Sequence, residues 1–312
     1  MGQNLSPKQK SKARRRIKNA LLSLSPQLVF DEIANYRALW ASRPEAGLSQ
    51  ASSITDEPNF LSAVAEALRD SSAASRFRSN VAIIATYDHV SRTQGLACLL
   101  AIVGRGGQER LKDLADVSDF GRPIKFHYPE LGRFSPTVLR LAKTALDLEF
   151  FFPDLSKHQI TEIGVGFGGQ AIALNRFFGA RRFVFYDLPE VNQLASRTLD
   201  FFTRGVDLVL HDGRRPVPIE SELLVSNFAF SELEPKLQAA YLEKVVLRAK
   251  RGFMHYNTLS ERSLGGYSVK EISDMLPGSV LLPEEPATNP GNVTLVWGSP
   301  KFNEALKEQD GV

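Results

Sequence analysis

The run Thr161-Glu162-Ile163-Gly164-Val165-Gly166-Phe167-Gly168-Gly169 sets a carboxylate two residues ahead of a glycine-rich turn. Glycine accepts positive φ and lets a ligand approach the backbone, and a helix starting just after such a turn offers free N–H groups. An acid follows at a telling distance. Asp187 ends the apolar run Arg182–Tyr186, 23 residues after Gly164, close to the roughly 20 residues at which an acid meets a ribose hydroxyl in nucleotide-binding βαβ units. Gly164, Gly166, Gly168, Asp187 and the adjoining Leu188 are therefore the expected contacts of a nucleoside cofactor.

Gly164-x-Gly166-x-x-Gly169 also satisfies the dinucleotide fingerprint, so a nicotinamide-dependent oxidoreductase competes with a methyltransferase. Glu162 separates them: a carboxylate at that place can anchor the turn or a methionine ammonium, whereas a pyrophosphate gains nothing from it. About 140 residues follow the turn and are expected to end in an antiparallel hairpin, so a dehydrogenase-type C-terminal catalytic domain is not expected, and these residues contain no Tyr-x-x-x-Lys pair either. These features favour S-adenosylmethionine as cofactor over NAD. A third class, a nonenzymatic nucleotide-binding protein that recruits a partner, would bind cofactor without turnover.

Methyl transfer is an in-line displacement, so most of its catalysis is positioning. A hydroxyl acceptor must in addition lose a proton. His211, Asp212, Glu232 and His255 lie at or just after expected strand ends, where ligands of open parallel sheets bind, and are candidate bases. Each has a structural alternative: Asp212 as an adenine partner or turn cap, His211 as a cofactor-wall residue, His255 as a satisfied buried histidine, Glu232 as a first-turn helix acid. Asn227 is expected at the cofactor or acceptor rim. Phe228 and Phe230 flank it as pocket or core aromatics. The five histidines have no metal-ligand spacing, so no metal site is expected.

Alternating apolar runs place these residues. Strands are expected at 159–164, 182–188, 206–211, 223–227 and 252–257, with helices at 170–178, 191–202, 235–250 and 269–275. Such alternation implies a parallel sheet with right-handed crossovers. Runs 279–282 and 292–297 are too close for a helical crossover and are expected to form an antiparallel hairpin. A helix over 135–152 starts at the Ser135-Pro136 cap, and amphipathic helices are expected at 26–40 and 59–69. The glycine cluster 104–107 has no Gly-Lys-Ser/Thr after it and is a plain turn.

The elements EIGVGFGGQ, FVFYDLPEV and SNFAFSEL, with the Tyr-containing helix that follows, make the region 134–299 resemble the bacterial sugar O-methyltransferase family of S-adenosylmethionine-dependent methyltransferases. The resemblance implies a Rossmann-like α/β fold with a seven-stranded sheet whose last strand is antiparallel, preceded by a mainly helical region. It also implies O-methylation of a sugar or related hydroxyl. The expected organisation is a basic tail over 1–20, helices over 21–133, the cofactor-binding domain over 134–300 and a short tail over 301–312. The acceptor is then a small molecule or glycan, with the N-terminal helices as its lid or as a homodimer interface.

Bulk composition agrees with an ordinary folded chain: 312 residues, 43% hydrophobic, 23% charged. A single cysteine, Cys98, excludes an internal disulfide framework and suits a reducing cytoplasm. No apolar run approaches the roughly 18 residues of a membrane span. Lys8, Lys10, Lys12, Arg14, Arg15, Arg16 and Lys18 precede any acid. Removing these seven leaves 31 basic against 35 acidic residues, and without a basic body nucleic acid is not the expected partner.

Overall fold

The computed structural model describes residues 58–302, Pro290 excepted. The expected helix 26–40, the tail 1–20 and residues 303–312 of the expected C-terminal tail lie outside these residues.

The central sheet begins where the sequence alternates. Helices α1 (Pro58–Arg69), α2 (Val81–Thr86) and α3 (Arg92–Gly104) lead to a small hairpin of β1 (Phe126–Tyr128) and β2 (Gly132–Phe134), then to α4 (Pro136–Phe151). The glycines after 103 end α3 in a turn, as expected. Ser135 caps α4 by accepting the Val138 N–H, with Pro136 in the first turn, where its missing N–H costs nothing.

The α/β part follows as β3 (Gln159–Ile163), α5 (Gly169–Phe178), β4 (Arg182–Asp187), α6 (Pro189–Phe202), β5 (Asp207–Asp212) and β6 (Leu223–Asn227). It closes with α7 (Pro235–Tyr241), β7 (Gly252–Tyr256), α8 (Thr258–Leu264), α9 (Val269–Met275), β8 (Val280–Pro283) and β9 (Val293–Trp297). The sheet order is β5-β4-β3-β6-β7-β9-β8. All neighbours are parallel except β9, which runs antiparallel to both β7 and β8. This is the Rossmann-like sheet expected, with its hairpin. Helix 235–250 differs from expectation: regular α geometry stops at Tyr241 and Leu242–Val246 continue as a π turn. Leu242, Val245 and Val246 pack into the core from this turn, and such a single π turn is not encoded by local propensity.

Side-chain alternation divides the interior into two layers. Phe183, Phe185, Val225 and Phe253 face α4, α5 and α6, and Val184, Tyr186, Leu224 and Met254 face α7, the π turn and α9. The first layer continues without a break into the helices before the sheet, through Phe60, Val64, Phe77 and Ile83. No described helix is long and apolar enough to cross a membrane.

Candidate functional site

β3 lies where the sheet order reverses, with β4 on one side and β6 on the other. Chain crossovers leave in opposite directions there, which opens a crevice beyond the carboxyl ends of the strands. The turn 164–168 follows β3 at that end of the sheet.

Gly164, Gly166 and Gly168 have φ of 77°, 54° and 81°, the left-handed region that glycine occupies without strain. At Gly164 space matters as well: a Cβ there would stand 2.1 Å from the Ala229 Cβ. The Val165 and Gly166 N–H groups donate to Asp187 Oδ2 at 2.7 and 3.3 Å, and the Leu188 N–H donates to Oδ1 at 2.8 Å. Asp187 thus ties the turn to β4. Burial pushes its carboxyl up to about 6 despite the three donors. Asn192 completes the tie by donating from Nδ2 to the carbonyls of Asp187 and His211, at 3.0 and 2.8 Å.

Glu162 is 2% exposed and has no hydrogen-bond partner among the described residues. Burial, then the nearby Asp187, hold its carboxyl well above the usual range. In register with β4 and β6 it pairs with Phe185 and Val225, so it lies on the sheet face covered by α5. One step further along, Asn227 pairs with His255, which pairs with Thr294. Asn227 Nδ2 donates to Gln170 Oε1 at 3.3 Å, while its Oδ1 is buried without a partner.

His255 is buried, with Nδ1 3.0 Å from Thr294 Oγ1 and its ring stacked 5.4 Å from Phe228. Burial, helped by Lys143 and Arg140, pushes its pKa far down, so the ring is neutral. Glu232 accepts from Asn257 Nδ2 at 3.2 Å. Burial raises its carboxyl to about 7, with Asn257 and Arg140 opposing the rise. Both groups share Arg140 as charged neighbour and are joined through backbone: the Phe228 N–H donates to the His255 carbonyl, and Ser231 Oγ accepts from the Asn257 N–H while donating to the Phe228 carbonyl.

The structure separates His211 from this group. It pairs with Tyr186 and stacks on that ring at 4.8 Å. Tyr186 belongs to the opposite layer, beside Tyr241, because one residue along a strand inverts the face. Asp212 stands beside Asp187 in register, and its Oδ1 accepts the Arg214 N–H at 3.0 Å. Leu188 is buried at the end of β4. Phe230 packs in the second layer, whereas Phe228 adopts φ 73° and faces Arg140 and His255.

Three further side chains were not found by sequence reasoning. The Tyr87 ring lies 3.6 Å from where a Gly166 Cβ would be and 5.9 Å from the Phe167 ring, and its hydroxyl is buried without a partner. Arg78 is fully buried, forms a bidentate pair with Asp88 at 2.6 and 2.7 Å, and donates to the Val117 carbonyl and Ser135 Oγ. Its guanidinium also lies 4.3 Å over Phe167, so the helices before the sheet clamp the glycine turn from above. Arg140 is the third. Charges at Arg140 and Lys143 inside the apolar helix Pro136–Phe151 were the signal that could have found it.

No protein-family model and no curated protein sequence matches the chain. Among solved structures, the chain is similar to magnesium protoporphyrin IX methyltransferase from Synechocystis, solved with bound S-adenosylmethionine, at 12% identity and TM-score 0.38 over 51% of this chain and 83% of that one. It is similar to an RNA methyltransferase from Salinibacter ruber, solved with S-adenosylhomocysteine, at 17% identity and TM-score 0.33 over 53% of this chain and 92% of that one. An O-methyltransferase of neocarzinostatin biosynthesis matches at 13% identity and TM-score 0.34, over 52% and 57%. Likeness at this level carries no argument about activity.

Proposed function

We propose that the chain is an S-adenosylmethionine-dependent methyltransferase acting on the hydroxyl of a small, sugar-type acceptor. The observation that carries this reading is the buried, unpartnered Glu162 carboxylate beside a positive-φ glycine turn. An unpaired buried carboxylate is costly, and a ligand ammonium would offset that cost. The orphaned Asn227 Oδ1 and Tyr87 hydroxyl at the same turn ask for donors and acceptors of a bound nucleoside in the same way.

The residues fit the cofactor's parts. Glu162 would hold its ammonium, directly or through water, and Asp187 keeps acceptor capacity for a ribose hydroxyl, since three of its roughly four lone-pair sites are used. Asp212 and Leu188 would border the adenine, and Gly164, Gly166 and Gly168 would admit the ligand to the backbone. Asn227 would stand between cofactor and acceptor. When bound, the cofactor supplies an electrophilic methyl group. A dinucleotide fits less well: the Val165 and Gly166 N–H groups that would face a pyrophosphate are already given to Asp187.

Glu232 is the proposed base. With its carboxyl raised to about 7 it is partly ionised near neutral pH and matched to taking a hydroxyl proton. His255, neutral and held by Thr294, would orient the acceptor. Incubation with methyl-labelled S-adenosylmethionine and a panel of sugars is the test: labelled product that Glu232→Gln reduces strongly supports the assignment, and undiminished turnover in that variant removes Glu232 as base.

A further inference from the structure

Arg140 carries five N–H donors on α4, and among the described residues it has neither an ion pair nor a hydrogen bond. The acids around it are Glu284, Asp88 and Glu232, and each is engaged elsewhere. Asp88 is bound bidentately by Arg78. Glu284 accepts from the Thr288 N–H and hydroxyl at 2.9 and 2.8 Å. Glu232 accepts from Asn257. The neighbouring cation is not free either, because Lys143 Nζ is 2.5 Å from Asp147.

The guanidinium is half-buried and, among the described residues, lacks a hydrogen-bonded counter-ion; it lies 5.8 Å over the Phe228 ring that stacks on His255. Burial lowers its pKa, which marks the charge as poorly solvated. A poorly solvated, unpaired arginine beside the proposed base is what an acceptor anion would neutralise. Its planar fork matches a carboxylate bidentately. With Glu232 and Glu284 close by, each further negative charge on the acceptor adds repulsion, so a monoanionic carboxylate is favoured over a dianionic phosphate.

Resting on the methyltransferase reading above, we infer that Arg140 is an anion subsite of the acceptor pocket and that the acceptor is a hydroxyl compound bearing a carboxylate, of the uronic-acid or hydroxy-acid type.

The test titrates S-adenosylhomocysteine into wild type, Arg140→Met and Arg140→Lys first. Equal affinity in all three establishes that the variants fold and that the cofactor site stands apart from Arg140; no binding to wild type overturns the methyltransferase reading alone. Uronic and hydroxy acids are then titrated beside their neutral parents, with and without S-adenosylhomocysteine, together with sugar phosphates. The expected result is at least one carboxylate bound about tenfold or more tighter than its neutral parent, an advantage lost in Arg140→Met and partly kept in Arg140→Lys. The inference is overturned if no acid in the panel outbinds its parent, if the advantage survives in Arg140→Met, or if phosphates bind as tightly as carboxylates.

Discussion

Replacing Gly164 with alanine tests whether the glycine turn is built for close approach. Two costs add there. An L-residue at φ 77° loses about 1–2 kcal/mol. The new Cβ would also lie 2.1 Å from the Ala229 Cβ, when carbon atoms in contact prefer about 3.5–4.0 Å, so one segment must yield. Overpacking of that kind costs about 1–3 kcal/mol, for a total of about 2–5 kcal/mol. Gly166→Ala is the internal comparison. Its φ of 54° carries the conformational cost, but the nearest atom, on Tyr87, is 3.6 Å away, so the loss should stay near 1–2 kcal/mol. Urea unfolding of both variants gives the difference, and Ala229→Gly in the Gly164→Ala background should restore most of the steric part. Equal losses at the two glycines, or an Ala229→Gly effect independent of residue 164 in a double-mutant cycle, would refute the reasoning.

Glu162→Gln should weaken S-adenosylmethionine binding by about 1.5–3 kcal/mol and abolish its pH dependence. A carboxyl held above its usual range must release a proton to pair with a cation, so wild-type affinity should rise with pH until that group is ionised; calorimetry from pH 5 to 8 reads both effects. Glu232, shifted from 4.5 to about 7, holds a proton in the folded chain that the unfolded chain has lost. Wild-type stability should therefore fall as pH rises from 4.5 to about 7, and urea midpoints of Glu232→Gln should show a flatter decline. Breaking the buried pair with Arg78→Met should cost about 3–5 kcal/mol in urea unfolding, with the turn loosened because Phe167 loses its cover.

Much of the α/β part was legible because its runs are both apolar and punctuated. β6 (Leu223–Asn227) and α9 (Val269–Met275) begin and end where their sequences say, and β3 and β4 differ from expectation by a single residue at the end. The hairpin of β1 and β2 was not legible: its three-residue strands are too short for any periodicity. The helix Thr258–Leu264 was missed because its seven residues include only two apolar ones, Leu259 and Leu264. At the site, chain-local signals located the glycines, Glu162, Asp187 and Asn227. Tyr87 and Arg78 were invisible because their meaning lies in long-range contacts: Arg78 reaches residues 39 and 57 positions away. His211 shows the other limit. Its place at a strand end is readable, but its face depends on register, and register put it against Tyr186.

The central claim is that Glu162 and the turn beside it hold an adenosyl cofactor through its ammonium. Calorimetric titration of the purified protein with S-adenosylmethionine, S-adenosylhomocysteine and NADH, side by side, tests it most directly. Micromolar binding of both adenosyl ligands with no heat from NADH is the expected result; binding of NADH alone, or of none of the three, would contradict it.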